Sequence, residues 1–249
     1  MSELDDAKAT ISYVENTLKP ELKILIGDYI LSAPVHTVLQ LDKKDPRTSL
    51  LKIKVTKEIP VQIDFKLSDI INHIRSSYNY IAIYIAKRNG VNSEELWKID
   101  FPTGESSEKL NNKIKKITLD RSEEDKNLLL STRPIKKSGS YVWELFKYNN
   151  TTKHRKRLTS AGISTTGPLN TPWTKNIRIA MSHKYAIGDE RGIMSFPTTL
   201  AHTINKPSII TNVTTNFKEM TGDNSYAEID VMNFIEDAIC VCKKLINSV

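Results

Sequence analysis

The hydrophobic positions repeat at helical spacing near both ends of the chain and along one long central stretch, and at extended spacing between them. The central stretch, Leu67 to Gly90, reads LSDIINHIRSSYNYIAIYIAKRNG. Leu67, Ile71, Ile74, Tyr78, Ile81 and Ile85 alternate spacings of four and three, the seam of a helix packed in a bundle. Ser68 suits an N-cap and Asp69 the first turn; Lys87 and Arg88 suit the last turn, and Gly90 a stop. Leu4, Ala7, Ile11, Val14 and Leu18 predict a first helix over 3–18. Pro20 interrupts it, and ELKILIGDYI reads as a second helical piece. The period then drops to two. Residues 34–41 and 49–56 are expected strands, joined by a turn around Asp45-Pro46, and VQIDF at 61–65 reads as a third short strand.

Beyond Gly90 come Phe101-Pro102 and a lysine-rich stretch with Leu110, Ile114 and Ile117 at helical spacing, then a short helix from Ser122 to Leu130. Ser140 reads as the cap of a helix over 141–155. Its inward face is Val142, Leu145 and Phe146, and the same face continues through Asn149 and Lys153. Polar residues at inward positions break the local consistency of a packed helix, which often marks a site. From 174 to 217 the pattern is extended: KNIRIAMS, YAIG, IMSF and PSIITNVTTNF read as strands, with GDERG as a hairpin turn. A helix over 228–247 closes the chain, its seam Met232, Ile235, Ile239, Cys242 and Ile246. The expected fold is α+β. It is mainly a bundle of four helices (3–18, 67–89, 141–155, 228–247) in one domain, with a hairpin insertion near 34–65 and a β-rich segment near 174–217.

At about 100° per residue, Arg75 shares a narrow polar stripe with Asn72 and Asn79 on the central helix. An arginine half inside a bundle is either a structural cation among asparagines, Asn149 included, or a functional one. Charge sharpens the question. Of a formal net charge of +7, residues 1–132 and 158–249 contribute nothing, each being balanced. Residues 133–157 hold Arg133, Lys136, Lys137, Lys147, Lys153, Arg155, Lys156 and Arg157 against Glu144 alone, which is the whole imbalance. A local basic segment suits an anionic partner such as nucleic acid, though KHRKR also suits a solvated helix C-terminus.

Apolar residues make up 39% of the chain and charged ones 26%, an ordinary balance for a soluble globular protein. No apolar run approaches a membrane span and MSELDDAKAT is not a signal peptide, so a cytoplasmic protein is expected. Cys240 and Cys242 lie two apart on an expected helix and face different ways, so they cannot form a clip and read as reduced thiols. There is no Gly-rich phosphate loop, and no serine in a nucleophile elbow. His36, His73, His154, His183 and His202 have no zinc-ligand spacing. With Asp69 the only carboxylate in the central helix as read here, no metal or cofactor is expected, leaving Arg, Lys and His chemistry. His154 stands in the basic element NNTTKHRKR, where neighbouring cations disfavour its protonated form and a neutral imidazole can act as a general base.

The helix SDIINHIRSSYNYIAIYIA resembles a signature of a widespread set of uncharacterised bacterial proteins, whose helix reads approximately G-D-A-L-H-N-L-R-S-A-L-D-H-L-A. That family then shows a Phe-Pro pair, a Q-P-Y-like stretch and an N-x-x-D-K-H-R element. Here these are Phe101-Pro102, Arg133-Pro134-Ile135 and Asn150-Thr151-Thr152-Lys153-His154-Arg155, in order and at similar spacing over residues 20–157. The family's R-x4-H helix is in turn similar to the HEPN superfamily of four-helix bundles. Many HEPN proteins are dimeric, metal-independent ribonucleases of toxin–antitoxin and phage-defence systems. The resemblance implies Arg75 as the motif arginine and Lys153, His154 and Arg155 as the basic element. The family's helix Asp and His fall on Asn79 and Tyr80, and its later Asp on Thr152. Two readings therefore stand side by side. One is a HEPN-like ribonuclease or toxin/defence effector, with Arg75 and His154 catalytic and Lys153, Arg155, Lys156 and Arg157 holding RNA. The other is a non-catalytic nucleic-acid-binding or protein-interaction module of a defence system, with Arg75 held among Asn72, Asn79 and Asn149.

Overall fold

The computed structural model describes residues 2–152, 159–166, 180–182, 190–203, 208–215 and 229–249. Within them the fold is α+β, with small antiparallel sheets beside a larger helical part. Helices α1 (Glu3–Tyr13) and α2 (Lys19–Leu31) run on through Pro20 instead of breaking there. A single π-turn, Val14–Leu18, joins them, and Pro20 falls in the first turn of α2. A local change of winding lets the helix absorb a residue that has no N–H and whose ring crowds the preceding turn. At the start, Ser2 and Asp5 form a reciprocal capping box, in which Ser2 N–H donates to Asp5 Oδ2 at 3.0 Å and Asp5 N–H to Ser2 Oγ at 3.2 Å.

The central helix α3 spans Val61–Arg88, six residues more than the seam shows. VQIDF is its first turn rather than a strand, and Ser68 lies inside it rather than capping it; the N-cap is Pro60, which fixes the entry and makes no side-chain cap. The earlier start also brings Asp64 onto the helix, so Asp69 is not its only carboxylate. At the other end Gly90 has φ +82°, with Gly90 N–H donating to Lys87 O and Val91 N–H to Ala86 O, both at 3.0 Å. This pair of bonds closes the helix where the sequence put the stop. All six expected seam residues are fully buried.

Helix α3 is the hub: α1, α2, α4 (Ser107–Thr118), α6 (Val142–Thr152) and α7 (Val231–Ser248) all pack against it, and α5 (Glu123–Ser131) lies against α4 and α7. The described residues hold seven α-helices, so the expectation of four main helices is too coarse, although α1, α6 and α7 do gather on α3. The Tyr78 hydroxyl crosses from α3 to donate to Ala238 O of α7 at 3.1 Å. Short 3-10 turns at Ser93–Lys98 and Thr198–Thr203 carry no helical period. Ser140 does not cap α6; its hydroxyl donates to Thr132 O at 2.7 Å.

Strands β1 (Val35–Leu41) and β2 (Thr48–Val55) form the expected hairpin, with Leu51, Ile53 and Val55 buried between half-exposed Lys52 and Lys54. It does not stand alone. Strand β5 (Glu190–Pro197) crosses back to pair antiparallel with β2, giving the order β1-β2-β5. Glu190, Arg191 and Gly192 of the expected GDERG turn are thus strand residues. A second sheet has the order β4-β3-β6-β7, from β3 (Thr159–Thr166), β4 (Ala180–Ser182), β6 (Ser208–Thr215) and β7 (Ile229–Asp230). The remainder of the expected strands KNIRIAMS and YAIG lies outside the described residues.

On α7 the two cysteines part company: Cys240 is exposed and Cys242 buried. Burial disfavours the thiolate and pushes the Cys242 thiol up. The native protein is therefore expected to react with one equivalent of a thiol reagent near pH 8, and with two in denaturant. Two fast thiols in native buffer would contradict this packing of α7.

Candidate functional site

The α3 stripe and the polar end of the α6 face meet. Asn72, Arg75 and Asn79 are spaced three and four apart, so one face of α3 carries all three. Helix α6 buries Val142, Leu145 and Phe146, and one turn further on the same face presents Asn149, itself buried. Arg75 Nη1 donates to Asn149 Oδ1 at 3.2 Å and to Asn150 Oδ1 at 3.0 Å. Asn149 Nδ2 donates onward to Asn72 Oδ1 at 3.3 Å. From below, the Arg75 guanidinium lies 5.3 Å from the centre of the Phe146 ring, a cation–π distance.

The third wall is the loop that precedes Phe101-Pro102. Asn79 Nδ2 donates to Asp100 Oδ1 at 2.9 Å, and Asn79 Oδ1 accepts from Phe101 N–H at 2.9 Å. Phe101 packs edge-on to Tyr78, with centroids 4.8 Å apart, and stacks with Phe146 at 5.9 Å. Asp100 pairs with Arg75, its Oδ1 3.7 Å from Nη2, and its own side chain is 67% exposed against 17% for Arg75. With the carboxylate this exposed and the contact this long, water screens the attraction. Among the described residues the hydrogen bonds of the guanidinium therefore go to neutral amide oxygens, and its ion pair with Asp100 is the longer contact.

Of the sequence-derived site residues, the structure brings together Arg75, Asn72, Asn79 and Asn149. Lys153, His154, Arg155, Lys156 and Arg157 lie outside the described residues. Asn150, Asp100 and Phe146 join the site, and of these only Phe146 has an inward position in the sequence pattern. Asn150 had a signal, since it follows Asn149 at the end of that face. Asp100 sits in a loop, where no periodicity points inward.

The Phe-Pro loop is tied down on two sides. Phe101 packs on the aromatic floor, and Gly104 N–H donates to Pro134 O at 3.0 Å, tying the Phe-Pro loop to Arg133-Pro134-Ile135. Among the described residues no group of three His, Cys, Asp or Glu could hold a metal, and no helix is long and apolar enough to cross a membrane. Comparison with protein families, curated proteins and solved structures returns no match.

Proposed function

We propose that this protein is a HEPN-like RNA-binding protein, and that Arg75 holds a backbone phosphate. The observation that carries this reading is the bonding of the guanidinium. A purely structural buried arginine is expected to meet a close carboxylate, which cancels its charge. Arg75 is instead fixed by two neutral amide oxygens and an aromatic ring, with Asp100 at 3.7 Å and exposed. Such an arginine keeps its field and is already oriented, so a phosphate that meets it loses little ordering entropy. The basic run Lys153, Arg155, Lys156 and Arg157 follows Asn150 within seven residues of chain and would extend the backbone contact.

A second reading makes the same protein a metal-independent endoribonuclease, and chain order favours it: His154 follows the Arg75-bonded Asn150 by four residues. In that reaction His154 takes the proton of a ribose 2′-hydroxyl, and its oxygen attacks the adjacent phosphorus. Arg75 stabilises the charge that builds on the phosphorane, and the P–O5′ bond breaks as the 5′-oxygen takes a proton from solvent water. The products are a 2′,3′-cyclic phosphate and a 5′-hydroxyl, with no cofactor. On either reading the protein acts on RNA in the cytoplasm, as a homodimer or with a partner of a toxin or defence system.

The experiment is anisotropy of labelled single-stranded RNA at about 50 and about 200 mM salt, followed by a denaturing gel in EDTA. Wild type should bind at low salt and weaken at high salt, while the Lys153, Arg155, Lys156 and Arg157→Ser variant should lose most affinity. For the second reading, His154→Ala should keep binding and lose cleavage. No binding by wild type at low salt sinks the RNA reading, and an intact gel for wild type sinks the nuclease one.

A further inference from the structure

Beside the Arg75 cluster lies a cavity of about 220 Å³ lined by Thr103, Gly104, Glu105, Lys109, Lys113, Trp143, Phe146, Lys147 and Asn150. It shares Phe146 and Asn150 with the arginine clamp, so the two sites are neighbours. We propose that this cavity receives a terminal phosphate monoester of the RNA whose backbone Arg75 holds, an inference that rests on the RNA reading above.

Its size decides against a whole cofactor or base. Sites for drug-sized ligands run from about 300 to 1,000 Å³. A smaller pocket takes a group, with the rest of the ligand outside. Its charge decides which group. Among the described lining residues three lysines, Lys109, Lys113 and Lys147, stand against one carboxylate, that of Glu105, a formal excess of two positive charges. An internal phosphodiester carries a single negative charge. A phosphate monoester carries about −1.5 to −2 at pH 7, with three acceptor oxygens, and matches this lining better. The Lys113 ammonium is already oriented: it donates to Thr103 O at 2.7 Å and keeps two further N–H donors. Lys109 is only loosely drawn to Glu105, at 3.9 Å with both side chains mostly exposed, so an incoming dianion can displace that pairing.

The walls are built, not incidental. Trp143, Phe146, Lys147 and Asn150 occupy one face of α6 at helical spacing, and the Trp143 ring is buried behind the lysines. A fourth cation, Lys136, holds its Nζ 5.7 Å from the centre of that ring. Opposite, Gly104 is pinned on both sides: its N–H donates to Pro134 O, and its O accepts from Lys136 N–H at 3.1 Å. A Cβ at Gly104 would meet Leu110 Cβ and Ser106 O at 2.9 Å each, so only glycine lets this loop lie so close to α4.

The test compares three fluorescent single-stranded RNAs of one sequence in EDTA: both ends hydroxyl, a 5′-phosphate, and a 3′-phosphate. One phosphorylated form should bind the native chain about tenfold tighter than the hydroxyl form, as expected for new charge-assisted bonds, and the form that gains identifies the end. Lys109→Gln with Lys113→Gln should erase the gain and leave the affinity for the hydroxyl RNA within about twofold, with a melting curve confirming the fold. Equal affinity for all three RNAs overturns the terminal-phosphate site while the RNA reading survives. A gain that persists in the double variant also overturns it. If none of the three binds, the RNA reading falls and this inference falls with it.

Discussion

Arg75→Ala is expected to lower RNA affinity by at least tenfold at low salt and to flatten its salt dependence, because a charge-assisted phosphate contact is lost. Stability should fall as well. Removing the guanidinium takes the donor away from Asn149 Oδ1 in a buried position and removes the charge above Phe146. Losing a hydrogen bond to a charged donor costs about 1.5–3 kcal/mol, which is a melting shift of roughly 3–10 °C for a chain of this size. Arg75→Lys separates the two effects. Lysine keeps the charge, but a point donor cannot hold two amide oxygens and lie flat on a ring. Its binding should fall between those of wild type and the alanine variant. An alanine variant that melts lower but binds RNA as wild type does would make Arg75 purely structural and remove the main support of the RNA reading.

The polar stripe of Asn72, Arg75 and Asn79 was legible because helical periodicity places polar residues as firmly as apolar ones. Asn149 was legible because it interrupts an apolar face. Both follow from one helix read alone. Asp100 was not legible, since a loop residue is positioned by what its neighbours pack against, here Phe101 on Tyr78 and Phe146. The start of α3 shows a real conflict between two periods. In V-Q-I-D-F, Val61, Ile63 and Phe65 share one side of a strand, and the same residues scatter around a helix. The helix wins because Ile63 can then join the core with Leu67 while Asp64 stays at the first turn. The cost shows in the structure, where Ile63 is fully buried but Val61 and Phe65 are left 40% and 66% exposed. Strand β3 had the opposite problem: TSAGISTT has too few apolar residues to alternate, and its place comes from pairing with β6. The return of β5 to β2 spans well over a hundred residues, and no local pattern encodes such a partner.

Arg88 had an evident role in the sequence, as a cation at the negative end of a helix. The structure gives it more. Arg88 Nε donates to Asp125 Oδ2 at 3.0 Å, its Nη2 forms an ion pair with Asp125 Oδ1, and its Nη1 donates to Val249 O at 3.2 Å. The same carboxylate accepts from Asn89 Nδ2 at 2.6 Å, and Arg121 Nη1 donates to Asn89 O at 3.0 Å. One buried aspartate thus ties the end of α3 to α5, and through Arg88 to the end of α7. Asp125→Ala should be among the most damaging substitutions at a polar position. Breaking a buried ion pair costs about 3–5 kcal/mol, and because the Arg88 side chain is a third exposed, water recovers part of that. The expected loss is about 2–4 kcal/mol, a drop in Tm of roughly 5–15 °C. Asp125→Asn should cost less, since an amide oxygen can still accept from Asn89. The double variant with Arg88→Ala should be no worse than the sum of its parts, because the two residues share one interaction. At temperatures where the Asp125→Ala protein is folded, RNA affinity should be unchanged. Positions 75 and 88 are thirteen residues apart on one helix, about 20 Å along its axis, so the lock at one end does not touch the arginine clamp at the other. A variant that keeps its melting point within a degree of wild type would show that apolar packing of Leu129 alone docks α5.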